Sequence, residues 1–276
     1  MRSPVSVDLR LRVRRLADHA ARGVRGFLEW LRERLPRFHR TRRVLKVAGY
    51  AVLVLVVVTV MVVLPWRWVD PPVSSYMAQD VVSGLKEHGV EGVHLRHQWV
   101  ALEEISPRLW LAAVAAEDQR FLEHRGVDLE AIRQALGDAL QGKRLRGAST
   151  ISQQTAKNLF LWHGRSYVRK ILEVWLAASM EILWPKERIL EVYLNIAEWG
   201  EHLFGAEAAA RVYFGVSAGQ LDSHQAALMA AALPNPHRLR IEAPDERLRQ
   251  RQQWVLAQMQ ALGGNHLEPL EVRVGE

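Results

Sequence analysis

The sequence places four basic side chains within fourteen consecutive residues, at Lys157, Arg165, Arg169 and Lys170. The whole of the chain after Lys46 carries 23 basic and 26 acidic side chains, so its net charge is −3. A local group of cations in an acidic region is typical of a site for a polyanion, because cationic side chains form strong hydrogen bonds with phosphate oxygens. We therefore predict that this segment binds a polyanion such as a diphosphate.

Two glutamates accompany these cations. Glu117 closes an Ala-rich helical pattern, and a carboxyl group at the lip of a cavity has its pKa raised by desolvation, which suits a general acid or base. Acidic residues at helix ends are also commonly solvated, so the position alone does not identify a catalytic group. Glu173 lies four residues after Arg169, and an exposed helical ion pair of this spacing is worth only about 0.2–0.5 kcal/mol. Both glutamates therefore have a structural interpretation beside the chemical one.

Polar side chains replace the apolar stripe that a core helix would show after Ser149. Ser149, Gln153 and Lys157 recur at a spacing of four residues, with Gln154 and Asn158 beside them. Their amide groups and the ammonium group can bind an anionic ligand that is rich in hydroxyl groups. A glycine-containing turn opens this helix, an arrangement typical of phosphate binding at a helix N-terminus.

Helices must position these groups, because almost every segment after Pro107 has a helical pattern. Capping residues, prolines in first turns and glycines at helix ends divide the region into segments. The expected helices cover residues 107–124, 128–141, 149–160, 166–183, 185–195, 205–214, 222–233 and 245–262. The sequence predicts a mainly α-helical domain, and the absence of cysteine excludes disulfides, thiolate metal sites and a cysteine nucleophile.

A long uncharged run, Val47 to Trp66, precedes this domain. As a helix it is about 30 Å long, the thickness of the hydrocarbon core of a bilayer. Valine runs are also typical of buried strands, but strands rarely exceed about ten residues. A cleaved signal peptide is disfavoured because the run is long and no small-residue cleavage site follows it. The sequence therefore predicts one transmembrane helix.

The head before this helix, residues 1–46, holds 14 basic and 4 acidic side chains. By the positive-inside rule the head is cytoplasmic and residues 67–276 lie outside, in a bacterium in the periplasm. Apolar residues recur at helical spacing between Phe27 and Leu35, which favours an amphipathic helix on the inner leaflet. A basic arm can instead bind nucleic acid. Its position directly before the span favours anionic lipid headgroups, and we expect no nucleic-acid partner.

Ordered motifs carry a family resemblance. The matching residues are Glu117, Asp118, Phe121, His124 and Gly126; Gly147, Ser149, Thr150, Gln153, Gln154, Lys157 and Asn158; Arg169, Lys170 and Glu173; and Lys186, Ile189, Leu190, Glu191, Tyr193, Leu194 and Asn195. With these motifs the chain resembles the bacterial peptidoglycan glycosyltransferases, glycosyltransferase family 51, from about Pro71 to His237. Three further segments resemble the monofunctional, biosynthetic branch: Glu198-Trp199-Gly200, Gly205–Gly215 and Pro234-Asn235-Pro236. The basic head lies outside the resemblance.

The resemblance implies a mainly α, lysozyme-like, two-lobed glycosyltransferase domain behind a single transmembrane helix. It also implies that the enzyme polymerises lipid II, a disaccharide-pentapeptide on undecaprenyl diphosphate, into linear glycan strands, with inversion and release of undecaprenyl diphosphate. The expected divisions are a cytoplasmic head (1–46), a transmembrane helix (47–66), a joint with the start of a membrane-proximal lobe (67–106), the catalytic core (107–240) and a C-terminal helix and tail (241–276).

The resemblance further assigns roles to individual residues. Glu117 is expected to be the general base for the acceptor 4-hydroxyl group, and Glu173 the second catalytic carboxylate, which holds the cations or a metal. No cofactor is expected to be obligatory, although Mg²⁺ or Mn²⁺ near Glu173 is compatible with the family. The expected substrate and diphosphate ligands are Lys157, Arg165, Arg169, Lys170, Ser149, Thr150, Gln153, Gln154 and Asn158. The expected supporting residues are Asp118, Phe121, His124, Gly126 and Asn195.

Other functions account for parts of the pattern. Ser83 and Lys86 form the Ser-x-x-Lys pattern of penicillin-binding transpeptidases, but no Lys-Thr-Gly occurs and only a short segment follows Pro236, so we expect no crosslinking. A lytic transglycosylase or muramidase would need no diphosphate site. An inactive membrane-tethered scaffold would need neither glutamate. The expected partners are lipid II, the growing lipid-linked glycan chain, the bilayer and other cell-wall synthesis proteins. Residues 160–162 are aromatic and apolar, and we expect them either in the core or in the outer leaflet of the membrane.

Overall fold

The computed structural model describes residues 25–26, 29–30, 43–89, 94–140 and 149–270. Most of the basic head, the amphipathic pattern between Phe27 and Leu35 and the motif residue Gly147 lie outside the described residues. The chain divides into two units, Met1–Val58 and Thr59–Glu276. The site is built entirely within the second unit.

The first long helix, α1, spans Arg43–Arg67 and is the only described helix that is long and apolar enough to cross a membrane. Its 25 residues are about 38 Å long at 1.5 Å per residue, which is more than the hydrocarbon core requires. The last turn, Leu64–Arg67, tightens to a 3-10 helix at Pro65. This helix agrees with the predicted transmembrane span.

The rest of the described chain is mainly helical, as predicted. Side chains cap several helices. Asp222 with Gln225 forms a capping box and Ser166 caps α6, both as expected. Thr150 with Gln153 forms a second capping box, which was not predicted. The helices are α2 (Ser75–His88), α3 (Pro107–Glu117), α4 (Leu129–Leu140), α5 (Ile151–Phe160), α6 (Tyr167–Leu183), α7 (Lys186–Ile196), α8 (Ala206–Phe214), α9 (Ser223–Ala232) and α10 (Glu246–Leu262). Short 3-10 helices cover Leu102–Glu104, Ala218–Gln220 and Gly264–Leu267.

The end of α3 and the presence of α2 differ from the sequence predictions. Helix α3 ends at Glu117 rather than at His124, because Asp118 leaves the helical conformation and its carboxylate binds His124 and the backbone N–H of Ile151. Helix α2 forms in a region for which the sequence predicted no helix. Its N-cap, Ser74, accepts a hydrogen bond from the backbone N–H of Met77.

A small three-stranded sheet was not predicted. Strand β1 (Arg96–His97) pairs in parallel with β3 (Leu203–Phe204), and β3 pairs antiparallel with β2 (Glu198–Gly200). Strands of two or three residues are too short to show an alternating pattern. Gly205, which follows β3, has φ 84°, and a Cβ there would approach the carbonyl oxygen of Asn195 to 2.9 Å, so the turn requires glycine.

The core is made by two groups of helices. Helix α9 packs against α3 and α10, and α5 packs against α6 and α7. Most alanines of α3 and α9 are fully buried and let these helices approach closely, whereas Tyr193 and Trp199 supply bulk. Because Glu117 ends α3, it faces residues from both α5 and α10.

The segment that leaves α1 is tied to α7 by one buried arginine. The Arg188 guanidinium donates to the carbonyl oxygens of Trp66 (2.9 Å) and Val69 (2.8 Å), and pairs with Asp70 (2.8 Å) and Glu191 (2.7 Å). A planar guanidinium can satisfy all these acceptors at once. Arg188 therefore fixes the start of the joint against the helical core.

Candidate active site

The first half of the site centres on Glu117. Its side chain is only 14% exposed, and the Gln154 side-chain amide donates to Oε2 at 2.9 Å. The hydroxyl group of the buried Tyr193 donates in turn to Gln154 Oε1 at 3.4 Å. This chain of hydrogen bonds orients the Gln154 amide so that its N–H group points at the carboxylate.

Arg251 of α10 is the other polar neighbour of Glu117. Its Nη2 lies 3.4 Å from Oε1, while its Nε donates to the carbonyl oxygen of Ala231 at 2.9 Å. The guanidinium also stacks over the ring of Trp254, 5.8 Å from its centre. The sequence predictions did not include Arg251, because nothing distinguishes it from the other arginines of α10 until α10 packs beside α3.

Burial raises the pKa of Glu117 above its usual value, and this effect outweighs the Gln154 hydrogen bond and the positive charges of Arg251 and Lys157, which lower it. A carboxyl group with a raised pKa is a stronger base once ionised than an exposed glutamate. Glu117 is therefore suited to accept a proton from a bound hydroxyl group.

Glu117 opens onto a cleft of about 1200 Å³. Its lining includes Arg165, Arg238, Arg251 and Trp254. The volume is large enough for more than one sugar ring, since pockets for drug-sized ligands span about 300–1,000 Å³. Arg165 belongs to the lining of this cleft, where it is exposed and forms no ion pair with a described residue.

The second half of the site centres on Glu173, whose side chain is 4% exposed. Arg169 Nη1 lies 3.3 Å from Oε2, and Lys170 Nζ lies 2.5 Å from Oε1. Each carboxylate oxygen thus meets a different cation. The carboxylate is buried and paired with two cations, of which Arg169 is 12% and Lys170 45% exposed, so this is not the simple exposed ion pair that the sequence left as an alternative.

Lys170 joins this pair to the start of α5. Its ammonium group donates to the Ser149 hydroxyl at 3.0 Å and to Gln153 Oε1 at 3.5 Å. Gln153 Oε1 also accepts from the backbone N–H of Thr150 at 3.3 Å as part of the capping box. Ser149 and Gln153 therefore hold Lys170 and the helix start in this structure.

Lys157 lies between the two halves. Burial lowers the pKa of its ammonium group, the carboxylates of Glu173 and Glu117 oppose that effect, and Arg169 adds to it. The ammonium group has no hydrogen bond or ion pair with any residue that the structure describes. Its three donors are free for a ligand.

Seven buried side-chain nitrogen or oxygen atoms lack a partner among the described residues. They include Nε of Arg169 and Oδ1 of Asn158, which belong to the predicted ligands of the diphosphate. An unpaired buried donor is costly, and it is commonly explained by a ligand that supplies the acceptor. Together with the free ammonium group of Lys157, the Arg169 donor indicates an anion-binding position next to Glu173.

Several motif residues support the helix ends around this site. His124 Nε2 lies 2.9 Å from both oxygens of Asp118, and the backbone N–H of Ile151 donates to Asp118 Oδ2 at 2.9 Å. This links the end of α3 directly to the start of α5. The Asp118 carboxylate therefore connects the end of α3, which carries Glu117, to the start of α5, which carries Gln154.

Gly126 and Thr150 make the next connection. The Thr150 hydroxyl donates to the carbonyl oxygen of Gly126 at 2.6 Å. Gly126 has φ 88°, and a Cβ there would lie 3.1 Å from the backbone of Ala177 and Ala178, so only glycine fits against α6.

Phe121 and Asn195 are core residues. Lys186 Nζ lies 4.3 Å from the centre of the Phe121 ring and donates to the carbonyl oxygen of His124 at 2.9 Å. The Asn195 side chain bonds both the N–H and the carbonyl oxygen of Val100, at 3.0 and 2.9 Å. These contacts hold neighbouring segments of the core together.

The residues beside Glu173 do not form a ready metal site. In the part of the chain that the structure describes, no group of three His, Asp or Glu side chains could hold a metal ion. Glu173 itself is engaged by two cations, which would repel Mg²⁺ or Mn²⁺. A divalent cation at this position stays a prediction.

The fold and site define a class of mainly helical protein in which one buried carboxyl group opens onto a large cleft and a second is paired with two cations. Residues 86–260 match the family model described as Transglycosylase. The chain therefore belongs to the transglycosylase family, as its motifs indicated.

Curated relatives agree with this assignment. The chain is 46% identical to the biosynthetic peptidoglycan transglycosylase of Ectopseudomonas mendocina over 237 residues, which cover 86% of this chain and 96% of that protein. It is 47% identical to the protein of that name from Stutzerimonas stutzeri over 212 residues, 77% of this chain and 87% of the relative. The protein of that name from Haemophilus influenzae is 50% identical over 206 residues, 74% of this chain and 83% of the relative.

Proposed function

We propose that this chain is a membrane-anchored peptidoglycan glycosyltransferase that polymerises lipid II into linear glycan strands. The observation that carries the proposal is the pairing of a buried base, Glu117, with an anion-binding position at Lys157 and Arg169 in one site. Membership of the transglycosylase family supports it. The relatives' shared name, biosynthetic peptidoglycan transglycosylase, supports synthesis of glycan over its breakdown.

The proposed reaction is a single displacement at a sugar carbon. The Glu117 carboxylate takes the proton of the acceptor 4-hydroxyl group, whose oxygen forms the new bond to C1 of the donor sugar. The bond from C1 to the diphosphate oxygen breaks, and its electron pair leaves with undecaprenyl diphosphate. Attack opposite the leaving group inverts C1, and no covalent enzyme intermediate is needed.

The cations stabilise the charge that develops on the leaving group. The free ammonium group of Lys157 and the unpaired Nε of Arg169 are the donors available for diphosphate oxygens. Preorganised donors of this kind stabilise a transition state without reorganisation. Glu173 holds Arg169 and Lys170 in place, since three cations this close would otherwise repel one another.

The two rival functions explain less of the site. A muramidase or lytic transglycosylase cleaves a sugar–sugar bond and gives the buried cations no ligand. A scaffold would not require a carboxyl group to be buried with a raised pKa. Cleavage of sacculi by the purified protein would favour the first rival.

The proposed location is the bacterial inner membrane, with the N-terminus in the cytoplasm and the catalytic unit outside. The basic head before α1 supports this orientation through the positive-inside rule. Helix α6 supports contact of the catalytic unit with lipid through one exposed apolar face, made by Val168, Ile171, Trp175 and Ile182. Trp175 also donates to the Thr59 hydroxyl near the end of α1, at 2.9 Å. An anchored enzyme would thus meet a lipid-linked substrate in the same bilayer.

Polymerisation of purified lipid II by the protein in detergent, with products resolved on gels, tests the proposal. We expect glycan polymer from the parent protein and none from Glu117→Gln. Glu123→Gln is the matched control, because Glu123 is a largely exposed carboxylate shortly after the end of α3. Absence of polymer from the parent protein, under conditions in which a related enzyme is active, would exclude this function.

A further inference from the structure

No described hydrogen-bond acceptor fixes the position of the Lys157 ammonium group. Lys170, by contrast, is fixed by Ser149, Gln153 and Glu173. A free lysine side chain has many rotamers, and fixing it for catalysis requires some contact. The Lys157 ammonium group instead lies over the ring of Tyr76, 5.5 Å from its centre.

Tyr76 is well placed for this contact. It is the second residue of α2, and its half-buried ring lies within the distance at which an aromatic face attracts a cation. A ring holds an ammonium group without consuming its N–H donors or neutralising its charge, whereas a carboxylate would do both. Burial is the main cause that raises the pKa of the Tyr76 hydroxyl group, so the ring stays neutral at physiological pH.

The Tyr76 ring also has an aromatic neighbour. The His163 ring lies with its centre 3.9 Å from that of Tyr76. Gln79, one turn further along α2, accepts from the backbone N–H of His163 at 2.8 Å and donates to the carbonyl oxygen of Leu161 at 3.1 Å. The segment after α5 is therefore bound to α2, and the Tyr76 ring contacts both this segment and Lys157.

We propose that Tyr76, braced by His163, is a positioning residue that holds the Lys157 ammonium group toward the leaving diphosphate with its three N–H donors free. Tyr76 acts through Lys157 and does not itself exchange a proton or form a bond. This inference rests on the proposed function for its effect on catalysis. The contact between the ring and the ammonium group can be tested without turnover.

The NMR signal of the labelled Lys157 side chain tests its contact with the Tyr76 ring directly. The chain has six lysines, so ¹³C-dimethyl labels on their amines give few signals, and Lys157→Arg assigns the one of interest. We expect the Lys157 signal to be shifted by the ring current of Tyr76, to keep that shift in Tyr76→Phe and to lose it in Tyr76→Leu. Inorganic pyrophosphate should move the same signal in the parent protein.

The kinetic test compares the same variants on lipid II. Tyr76→Leu should lower kcat about 10-fold with KM within about two-fold, because the lost contact acts on the leaving group in the transition state. Tyr76→Phe should stay within about two-fold of the parent, because the ring face is kept. His163→Ala, a change at an exposed side chain, should fall between the two while the melting temperature is unchanged.

The outcomes separate this inference from the proposed function. An unshifted Lys157 signal in the parent protein, a Tyr76→Leu variant with full kcat, or a Tyr76→Phe variant as impaired as Tyr76→Leu would each overturn the positioning role. Failure of the parent protein to polymerise lipid II would overturn the proposed function, while the ring-current shift would still decide whether Tyr76 holds Lys157.

Discussion

Glu117 and Glu173 are both largely buried, with side chains 14% and 4% exposed, yet their surroundings differ in kind. Glu173 meets a separate cation at each oxygen, Arg169 at 3.3 Å and Lys170 at 2.5 Å. Glu117 meets one neutral amide at 2.9 Å and one arginine at 3.4 Å, and burial raises its pKa. The charge of Glu173 is thus balanced by two cations, whereas Glu117 is able to accept a proton.

Under the proposed function, this difference separates two tasks that use the same type of side chain. A carboxylate that neutralises cations must stay ionised, whereas a general base works best when its protonated and ionised forms are close in free energy. The helices set this contrast: Glu173 shares α6 with its two cations, but Glu117 ends α3 among buried alanines. Variants at each glutamate and its neighbours test the contrast, beginning with the largest expected effect.

Glu117→Gln should remove the proposed general base of the reaction. We expect kcat to fall by about 10²–10⁴-fold, the usual contribution of a general base, while binding of the substrate persists. Single-turnover polymerisation of lipid II measures this loss. A Glu117→Gln variant with more than a tenth of parental kcat would show that another group accepts the proton.

Glu173→Gln should lower kcat/KM by about 10²-fold, because it releases the cations that face the leaving group. It should also lower the free energy of unfolding by about 1–3 kcal/mol, because Arg169 and Lys170 lose their shared acceptor. Kinetics and thermal unfolding measured together check both effects. Unchanged stability would mean that the two-cation contact is weak in solution.

Thermal stability as a function of pH should separate the two glutamates further. The folded-state pKa of Glu117 is raised above 4.5. The stabilisation that this raised pKa gives the folded protein is therefore fully present below pH 4.5 and is lost as pH rises through the folded-state pKa. Glu117→Gln should therefore be at least as stable as the parent at pH 7, with a smaller advantage at pH 4. A loss of stability at pH 7 equal to that of Glu173→Gln would remove the contrast between the two sites.

Gln154→Met should move the acidic limb of the kcat/KM profile to higher pH, because the Gln154 hydrogen bond lowers the pKa of Glu117. At neutral pH we expect a loss of about 10-fold, the typical value of one hydrogen bond to a charged group. Methionine keeps the size of the side chain. An unshifted pH profile would show that Gln154 only orients the substrate.

Arg251→Gln should move the same limb in the same direction by a smaller amount, since Arg251 has a weaker effect than Gln154 in lowering the pKa of Glu117. The loss of kcat/KM at neutral pH should be at most about 5-fold, as for a partly exposed ion pair. Arg249→Gln on the same helix is the control, because Arg249 is exposed and does not belong to the lining of the cleft. A limb that moves to lower pH would contradict the arrangement of Arg251 beside Glu117.

Much of the fold could be predicted because its signals are local. Ser166, Asp222 and Asp245 start helices where their cap chemistry indicates, and the membrane span follows from the uncharged run that ends at Trp66. The end of α3 could not be predicted, because Asp118 stops it through contacts with His124 and Ile151. The three short strands were missed for the same reason, since their pairing is not local.

The sequence by itself determined the chemistry available: the residue types, their order along the chain, the family they resemble and the membrane helix before them. Tertiary structure decided what each group does, because burial and charge at a side chain depend on helices distant in sequence. It placed Arg165 in the lining of the cleft onto which Glu117 opens, and it gave Gln153 to a helix cap. It also brought Arg251 and Tyr76, which no motif contained, next to Glu117 and Lys157.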